Sequence, residues 1–464
     1  MKLIYIGAGF VGTCSAAVAA DSGHDVLVYD IDQTKIDKLG SGDYNQIQSC
    51  LFEEGLADLL IRNKERIKFT FDYNLVESFL NDGDAVFMCL PTPEIAETGE
   101  SNLSYYFTAA EKLAESLVKR NQGKQEKYIV IINKSTVPVD MVNKTEELLN
   151  KAGVNNFGVV SNPEFLVEGK AISGSLKPDR IVVGANSQKD FEVMRVVYQR
   201  FFSSPTVEYL EVSPEEAAAG KLLANFVLFN KLAVCFDVVG RTCETFDNVK
   251  FENVRKILTS DKRIGSWGLY DSLYAGGSCL IKDSRSLLHQ LKSAGQKVDL
   301  VDEIYSANHR QLQTFLDRAE KEANFNWGDK VVTLLGTAFK RDTNDIRNSA
   351  SIKIVKFLLE KKVKQINIFD PAALGWFKEL FPESEVIKYY DNETVAIDKS
   401  DAIIIATDWP QFRELDKVLV VLGKKPLIMD GRRILSHQYK ELGEIGYDII
   451  AVGSPFLEGK KVGK

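Results

Sequence analysis

Short apolar runs separated by glycine, proline and charged residues set the rhythm of the first part of the chain. Lys2 to Ile6, Asp25 to Tyr29, Asp84 to Cys89, Tyr128 to Asn133 and Arg180 to Gly184 each have the length of a strand, and stretches of helical pattern separate them. Strand and helix in alternation predict a parallel sheet with crossover helices on its faces. The last third repeats the theme. KVVTLLGTAF (330–339) echoes KLIYIGAGF (2–10), INIFDP (366–371) echoes LVYDI (27–31), and DAIIIATDWP (401–410) echoes DAVFMCLPTP (84–93). Between the halves, Ser213-Pro214-Glu215-Glu216 has the form of a capping box with proline in the first turn. The run it opens, to about Glu244, is too apolar for a broad solvated face, so it is expected to join the domains and pack on a second subunit. Its greasiest part, Phe226 to Val239, is interrupted by Asn230, Lys231 and Asp237, which argues against a bilayer span.

The first strand runs into Gly7-Ala8-Gly9-Phe10-Val11-Gly12, then a small-residue helix, then a second strand closing on Asp30. That order is the setting a dinucleotide fingerprint requires. Gly7 permits the tight turn, Gly9 lets a pyrophosphate approach the backbone, and Gly12 lets the helix pack closely on the sheet. Asp30 would accept from the adenosine ribose hydroxyls and repel a 2′-phosphate, so NAD is expected rather than NADP. The fold expected is α/β, with two Rossmann-like doubly wound parallel-sheet domains joined by a long central helix. The segments are 1–205 (NAD-binding), 206–315 (central, dimer-forming) and 316–464. The last lacks the full glycine fingerprint. Its crevice suits another nucleotide-like ligand, the alternative being a degenerate structural duplicate.

Composition narrows the function. Of 464 residues, 45% are hydrophobic and 27% charged, with a net charge of −7 spread along the chain, so no basic stripe offers itself to nucleic acid. MKLIYIGAG reads as a first strand and not as a secretory leader. Cys14, Cys50, Cys89, Cys235, Cys243 and Cys279 form no CxxC pair, which argues against a disulfide framework or a zinc ribbon. A cytoplasmic protein without a metal site is expected.

Among the cysteines, Cys14, Cys89 and Cys235 sit in apolar surroundings, and Cys50 and Cys243 at loop edges. Cys279 alone follows two glycines and precedes a lysine and an aspartate, in GGSCLIKD (276–283). A thiol acts as nucleophile when a cation or base favours its thiolate, so Cys279 is a candidate nucleophile, with an inert loop cysteine as the alternative. Lys221 and Asn225 lie four apart on one helical face among apolar neighbours. They could steady an oxyanion, or the lysine could simply reach the helix edge. Glu164 and Glu168, in SNPEFLVEGKA, are expected on a short helical turn, as general bases or as a pair complementing a helix dipole. Thr136 follows a strand and therefore stands where open α/β sheets collect ligands.

Together these segments resemble the nucleotide-sugar 6-dehydrogenases, the UDP-glucose/GDP-mannose dehydrogenase family. GAGFVG, KSTVP (134–138), NPEFLVEGKA (162–171), PDRIVVG (178–184), KLLAN (221–225), RIG (263–265), GGSCLIKD, GTAFKRDTNDIRNS (336–349) and DGRR (430–433) occur in the family's order. The resemblance implies a four-electron oxidation of a nucleotide sugar at C6, with two NAD consumed. Cys279 would form the thiohemiacetal and thioester, and Lys221 and Asn225 would hold the C6 oxyanion. Asp283, Thr136 and Glu168 would position or activate water. It implies cofactor contacts at Gly7, Gly9, Phe10, Val11, Gly12, Asp30, Lys35, Thr92, Thr136, Glu168, Lys282 and Arg347. Substrate contacts fall to Glu164, Phe165, Leu166, Lys221, Asn225, Gly276, Lys340 and Arg432, with Arg263 reaching across a dimer interface. Three departures stand out: Ile281 where the family has proline, LYDSLYAGG where it is glycine-rich, and Lys231 where it often has glutamate. Lys282 beside Asp283 favours the UDP-glucose and GDP-mannose branches. UDP-glucose is the expected substrate, with GDP-mannose, UDP-N-acetylmannosamine and UDP-N-acetylglucosamine as alternatives, and a catalytically idle NAD-binding regulatory protein as the reading from another class. A homodimer or higher homo-oligomer serving polysaccharide or glucuronate supply is expected.

Overall fold

Strand β1 (Lys2–Ile6) is buried beyond its first residue, and its side chains divide strictly between two apolar layers. Leu3 and Tyr5 enter one layer with Val26 and Phe87, while Ile4 and Ile6 enter the other with Val86 and Ile131. A strand covered on both faces needs a continuous apolar run, which is why these segments do not alternate with polar residues. The structure, a computed structural model, describes residues 1–121 and 127–460, so positions 461–464 of the last expected segment lie outside the described residues. Two units are distinguished: Met1–Ala224 with Lys282–Gln296, and Asn225–Ile281 with Lys297–Lys464.

In the first unit, β1 is joined by β2 (Asp25–Tyr29), β3 (Ile67–Thr70), β4 (Ala85–Met88), β5 (Ile129–Asn133), β6 (Phe157–Ser161), β7 (Arg180–Gly184) and β8 (Glu208–Val212). Their order is β3-β2-β1-β4-β5-β6-β7-β8. The reversal between β2 and β4 around β1 makes a switch point, and a crevice opens there at the carboxyl ends of the strands. On neighbouring β1 and β4, Tyr5 and Phe87 are register partners with rings stacked at 4.4 Å. The expected parallel pairing holds except at one junction. The sheet is not wholly parallel, since β7 meets β6 antiparallel at Ser161 and Gly184, then pairs parallel with β8.

The second unit holds a parallel sheet of β9 (Val331–Leu335), β10 (Gln365–Phe369), β11 (Ile387–Tyr389), β12 (Ala402–Ile405), β13 (Leu427–Asp430) and β14 (Ile449–Ala451). Its order is β11-β10-β9-β12-β13-β14. The internal echo extends to single hydrogen bonds. Asp84 accepts from the Lys2 N–H at 2.7 Å and pairs with Lys127 at 2.6 Å; Asp401 accepts from the Val331 N–H at 2.8 Å and pairs with Lys424 at 2.6 Å. Gly7 and Gly336 have φ of 104° and 94°, and each donates its N–H at 2.8 Å to the last residue of the neighbouring strand. After that the halves part. A helix starts at Phe10 in the first unit, but in the second no α-helix starts between Gly336 and Ala350, and a loop bearing Lys340, Arg341 and Arg347 takes its place.

The central segment opens as expected, with Ser213 Oγ accepting from Glu216 N–H at 3.2 Å and Glu216 accepting from Ser213 N–H at 2.8 Å. It is not one uniform α-helix. Pro214–Val234 is α, Cys235–Gly240 is π, and Arg241–Thr245 is α again. Gly240 ends the π turn where a Cβ would stand 2.8 Å from Asp271 Oδ2. By length and composition alone, Pro214–Thr245 is apolar enough to cross a bilayer, because its few charges leave a long apolar window. Both interrupting charges are satisfied inside the protein: Lys231 donates to the Ile264 carbonyl at 2.8 Å, and Asp237 pairs with Arg310 at 2.6 Å. Phe229, Leu232 and Phe236 belong to the core of the second unit, whereas Leu223, Val227, Val234 and Val238 are exposed.

Candidate active site

In the first unit the glycine turn is shaped by close approach. A Cβ on Gly7 would lie 2.3 Å from the Cys89 carbonyl oxygen, and one on Gly12 would lie 2.0 Å from the Gly7 carbonyl oxygen. Gly9, by contrast, has no atom within 4 Å of its Cβ position, and no side chain caps the helix Phe10–Asp21 that it begins. An open glycine in front of uncapped helix N–H groups is a cradle for a pyrophosphate, so these residues fit a dinucleotide. Phe10 and Val11 form the first turn of that helix. Asp30 accepts from the Ala8 N–H at 2.7 Å and lies 3.4 Å from Lys35 Nζ, which joins the turn, the acidic residue and Lys35 in one group.

Two loops, carrying Thr92 and Thr136, and the first turn of the helix Leu280–Ser293 bring a second group together. Thr92 Oγ1 donates to the Thr136 carbonyl at 2.9 Å, Lys282 Nζ lies 3.3 Å from Thr92 Oγ1, and Lys282 pairs with buried Asp283 at 2.6 Å. A third group surrounds Glu164. Its carboxylate accepts from the Leu166 N–H at 2.5 Å and lies 3.4 Å from the Nζ of buried Lys221. The Phe165 ring stacks under Arg180 at 3.9 Å and lies 5.2 Å from Lys221 Nζ. Lys221 therefore does not snorkel to the helix edge; it is 4% exposed and faces a carboxylate. The helical turn expected for Glu164 and Glu168 is absent. Positions 162–167 are irregular and Glu168 enters a turn, because Glu164 bonds its own backbone and Gly169 adopts φ of 82°.

In the second unit Cys279 is the one exposed cysteine among the described residues; Cys243, expected at a loop edge, is buried in a helix. The Ser278 hydroxyl lies 3.7 Å from the Cys279 sulfur. Cys279 immediately precedes the helix Leu280–Ser293, and the positive end of a helix favours thiolate. The glycines before it provide close packing. A Cβ on Gly276 would lie 2.7 Å from the Asn348 carbonyl, one on Gly277 2.9 Å from the Phe339 ring, and Gly277 N–H donates to the Arg347 carbonyl at 3.1 Å. The thiol loop is thus seated on the segment that carries Lys340 and Arg347. Arg347 turns its guanidinium onto Asp345 at 2.6 Å. Arg432 donates to Ser272 Oγ at 2.6 Å and Asp408 at 3.0 Å. Burial alone would raise the Asp408 carboxyl, but Arg432 and Arg341 hold it below its ordinary value. Asn225 is buried in this unit. Arg263 joins none of these groups; it pairs with Asp261 and its side chain is 90% exposed.

Four residues engaged around these groups have no distinctive sequence signal as functional residues: Lys134, Glu53, Ser272 and Asp408. Lys134 stands in the quoted KSTVP, two residues before Thr136, and that proximity alone points to it. Buried and 3.0 Å from Asn162 Oδ1, it is pulled down to about 8, chiefly by burial and further by Lys221, while Cys89 and Glu164 oppose the shift.

Asp370 occupies in the second unit the place of Asp30. Its two oxygens accept from the N–H groups of Thr337, Ala338, Ala372 and Ala373 and from the Trp409 indole, at 2.6 to 3.1 Å, and the residue is 2% exposed. That carboxylate is committed to the protein itself.

Comparison with known proteins agrees with this division of labour. Residues 1–202 match the NAD binding domain of the UDP-glucose/GDP-mannose dehydrogenase family, 215–310 its central domain and 333–437 its UDP binding domain. UDP-glucose 6-dehydrogenase TuaD of Bacillus subtilis is 32% identical over 463 residues, which cover 99% of this chain and 94% of that protein. UDP-glucose 6-dehydrogenase AglM of Haloferax volcanii is 32% identical, covering 94% of this chain and 98% of its own length. A solved UDP-glucose dehydrogenase from the archaeon Pyrobaculum islandicum superimposes with a TM-score of 0.83 at 27% identity, covering 93% of this chain and 94% of that one. An NAD cradle, a separate nucleotide domain and full-length relatives lead to one conclusion: this chain belongs to the UDP-glucose/GDP-mannose dehydrogenase family.

Proposed function

We propose that the chain is an NAD-dependent UDP-glucose 6-dehydrogenase, oxidising the C6 hydroxyl of UDP-glucose to the carboxylate of UDP-glucuronate. The observation that carries this is the full-length similarity, at 30 to 32% identity, to proteins named UDP-glucose 6-dehydrogenase in bacteria and an archaeon. NAD, when bound, supplies the acceptor for one hydride at each of two oxidations. Gly7, Gly9, Phe10, Val11, Gly12, Asp30, Lys35, Thr92 and Lys282 are the residues that hold it, with Arg347 at its edge.

The chemistry needs a covalent handle, since an aldehyde formed at C6 could otherwise diffuse away. The thiolate of Cys279 adds to the aldehyde carbon and its C–S bond leaves a tetrahedral centre that still carries hydrogen. Loss of that hydrogen as hydride gives a thioester. Water, positioned by Thr136, Glu168 and Asp283, then breaks the C–S bond and returns the thiol. Lys221 and Asn225 donate to the oxyanion at C6, and the 3.4 Å pairing of Lys221 with Glu164 supports an ammonium held ready for that task. Glu164, Phe165, Leu166, Gly276, Lys340 and Arg432 contact the sugar nucleotide.

The chain acts in three segments, 1–205, 206–315 and 316–464. It works as a homodimer, or a higher homo-oligomer built from it, through the exposed apolar stripe of the central helix, and Arg263 serves the partner's substrate. The compartment is the cytoplasm, with neither a membrane nor a nucleic acid as partner. The test is NADH released per UDP-glucose at limiting sugar and excess NAD. Two per sugar is expected. One would mean an aldehyde product and no thioester; none would redirect the search to GDP-mannose and the N-acetylated UDP-sugars.

A further inference from the structure

The loop at positions 162–172 carries Glu164 and Glu168 and has no helix or strand of its own before Ala171. Both of its ends are tied to buried charged side chains from distant parts of the first unit. At one end Lys134 Nζ donates to Asn162 Oδ1 at 3.0 Å and lies 3.4 Å from the Tyr198 hydroxyl, which itself donates to Asn162 Oδ1 at 2.5 Å. Asn162 Nδ2 in turn donates to the Val182 carbonyl at 2.7 Å, so both ends of that amide are engaged. At the other end Glu53, 0% exposed, accepts from the backbone N–H groups of Gly169 at 2.7 Å, Ala171 at 2.5 Å and Ile172 at 3.4 Å.

A carboxylate taken fully out of water is a demanding choice of anchor, because its solvation must be replaced by hydrogen bonds. Here the replacing donors are the amides that follow Glu168. The charges of all three carboxylates are felt at Cys14, on the helix Phe10–Asp21. Burial pushes the Cys14 thiol well up, and the charges of Glu53, Glu168 and Glu164 add to that push. Glu53 therefore holds the backbone of the turn that begins at Glu168. Lys134 lies within the electrostatic reach of Glu164, the carboxylate that Lys221 pairs with.

We propose that Glu53 and Lys134 are positioning residues for the oxidation, which aim Glu168 and Glu164 by clamping the two ends of their loop. The proposal rests on the catalytic reading of that loop given above. Glu53→Gln replaces one acceptor oxygen by an NH2 group that meets backbone donors, so the turn shifts. Lys134→Met removes the donor to Asn162.

The test measures NADH release per NAD-binding site in the full-length protein, sites being counted by fluorescence titration with NAD. Each variant is expected to lose about 10- to 100-fold in kcat, the scale of an ångström of misplacement, with KM for NAD nearly unchanged. Glu53→Asp, which keeps the charge, should recover part of the loss. Glu168→Gln is assayed beside them. If Glu168→Gln turns over normally, the catalytic reading of the loop has failed. If Glu168→Gln is impaired while Glu53→Gln and Lys134→Met match the wild type per site, the clamp has failed. Loss of NAD-binding sites in both clamp variants also overturns it, since the charges would then hold the domain and not the loop.

Discussion

Two neighbouring glycines of one motif should fail in opposite ways when a methyl group is added. On Gly12 the new Cβ would stand 2.0 Å from the Gly7 carbonyl oxygen and 3.0 Å from the Cys89 Cβ. A carbon approaches a carbonyl oxygen no closer than about 3.3 Å in ordinary contacts, so helix and strand must part by about 1.3 Å. Overpacking of that kind costs about 1–3 kcal/mol or more. For a domain of this size each kcal/mol lowers the melting temperature by about 2–4 °C, so Gly12→Ala should melt at least about 2 °C, and up to about 12 °C, below the wild type. On Gly9 the methyl meets nothing within 4 Å, and φ of −74° suits any residue. The apoprotein with Gly9→Ala should therefore keep its stability within about 1 kcal/mol. The methyl group stands, however, where the pyrophosphate must approach, and NAD affinity should fall at least about tenfold, or about 1.4 kcal/mol. Calorimetric melting without NAD and fluorescence titration with it separate the two effects. Wild-type NAD affinity in Gly9→Ala, or a wild-type melting temperature in Gly12→Ala, would refute the reasoning.

Three further outcomes are expected. Cys279→Ser should bind NAD as the wild type does but stop before multiple turnover to the acid; sustained release of two NADH per sugar by the variant would contradict the nucleophile. Val227→Glu, in the exposed stripe of the central helix, should shift the protein toward monomer in sedimentation and cost activity, and Arg263→Ala should raise KM for UDP-glucose in an intact dimer; a fully active monomer would overturn both. For Lys134, the folded value near 8 lies below the ordinary 10.5, so between these pH values the unfolded chain binds more protons. Stability contributed through this group should rise with pH across that window by at most about 1.4 kcal/mol per unit, and the rise should be missing in Lys134→Met when denaturant midpoints are followed from pH 7.5 to 10.

Much of this architecture is legible in the sequence because apolar runs bounded by glycine and charge carry both strand length and strand order. The turn at Gly7, the capping box at Ser213 and the echo between Asp84 and Asp401 were all readable as patterns. Strand direction was not: an apolar run such as Arg180–Gly184 has the same composition in either sense, and its antiparallel contact depends on the path of the loop before it. The π turn at Cys235–Gly240 shares the apolar character of the α-helix around it, so no residue type announces it. The glycine after Glu164 and Glu168 suggests a short helical turn closed at Gly169, whereas Glu164's own side chain competes for the nearby amide of Leu166. Glu53 was invisible for the same reason that most acidic residues are: its burial depends on amides more than a hundred positions away.

The engagement of Asp370 bears on how an enzyme with two related halves keeps two nucleotides apart. The first half leaves its acidic residue at the rim of an open glycine turn, while the second has turned the matching carboxylate inward as a structural knot, with five donors closed around it. An exposed acceptor of the first kind is thereby closed off in the second crevice at the level of the fold, before any difference in affinity is called upon. Whatever ligand the second crevice takes, Asp370 could serve it as an acceptor only by giving up donors that the fold itself supplies.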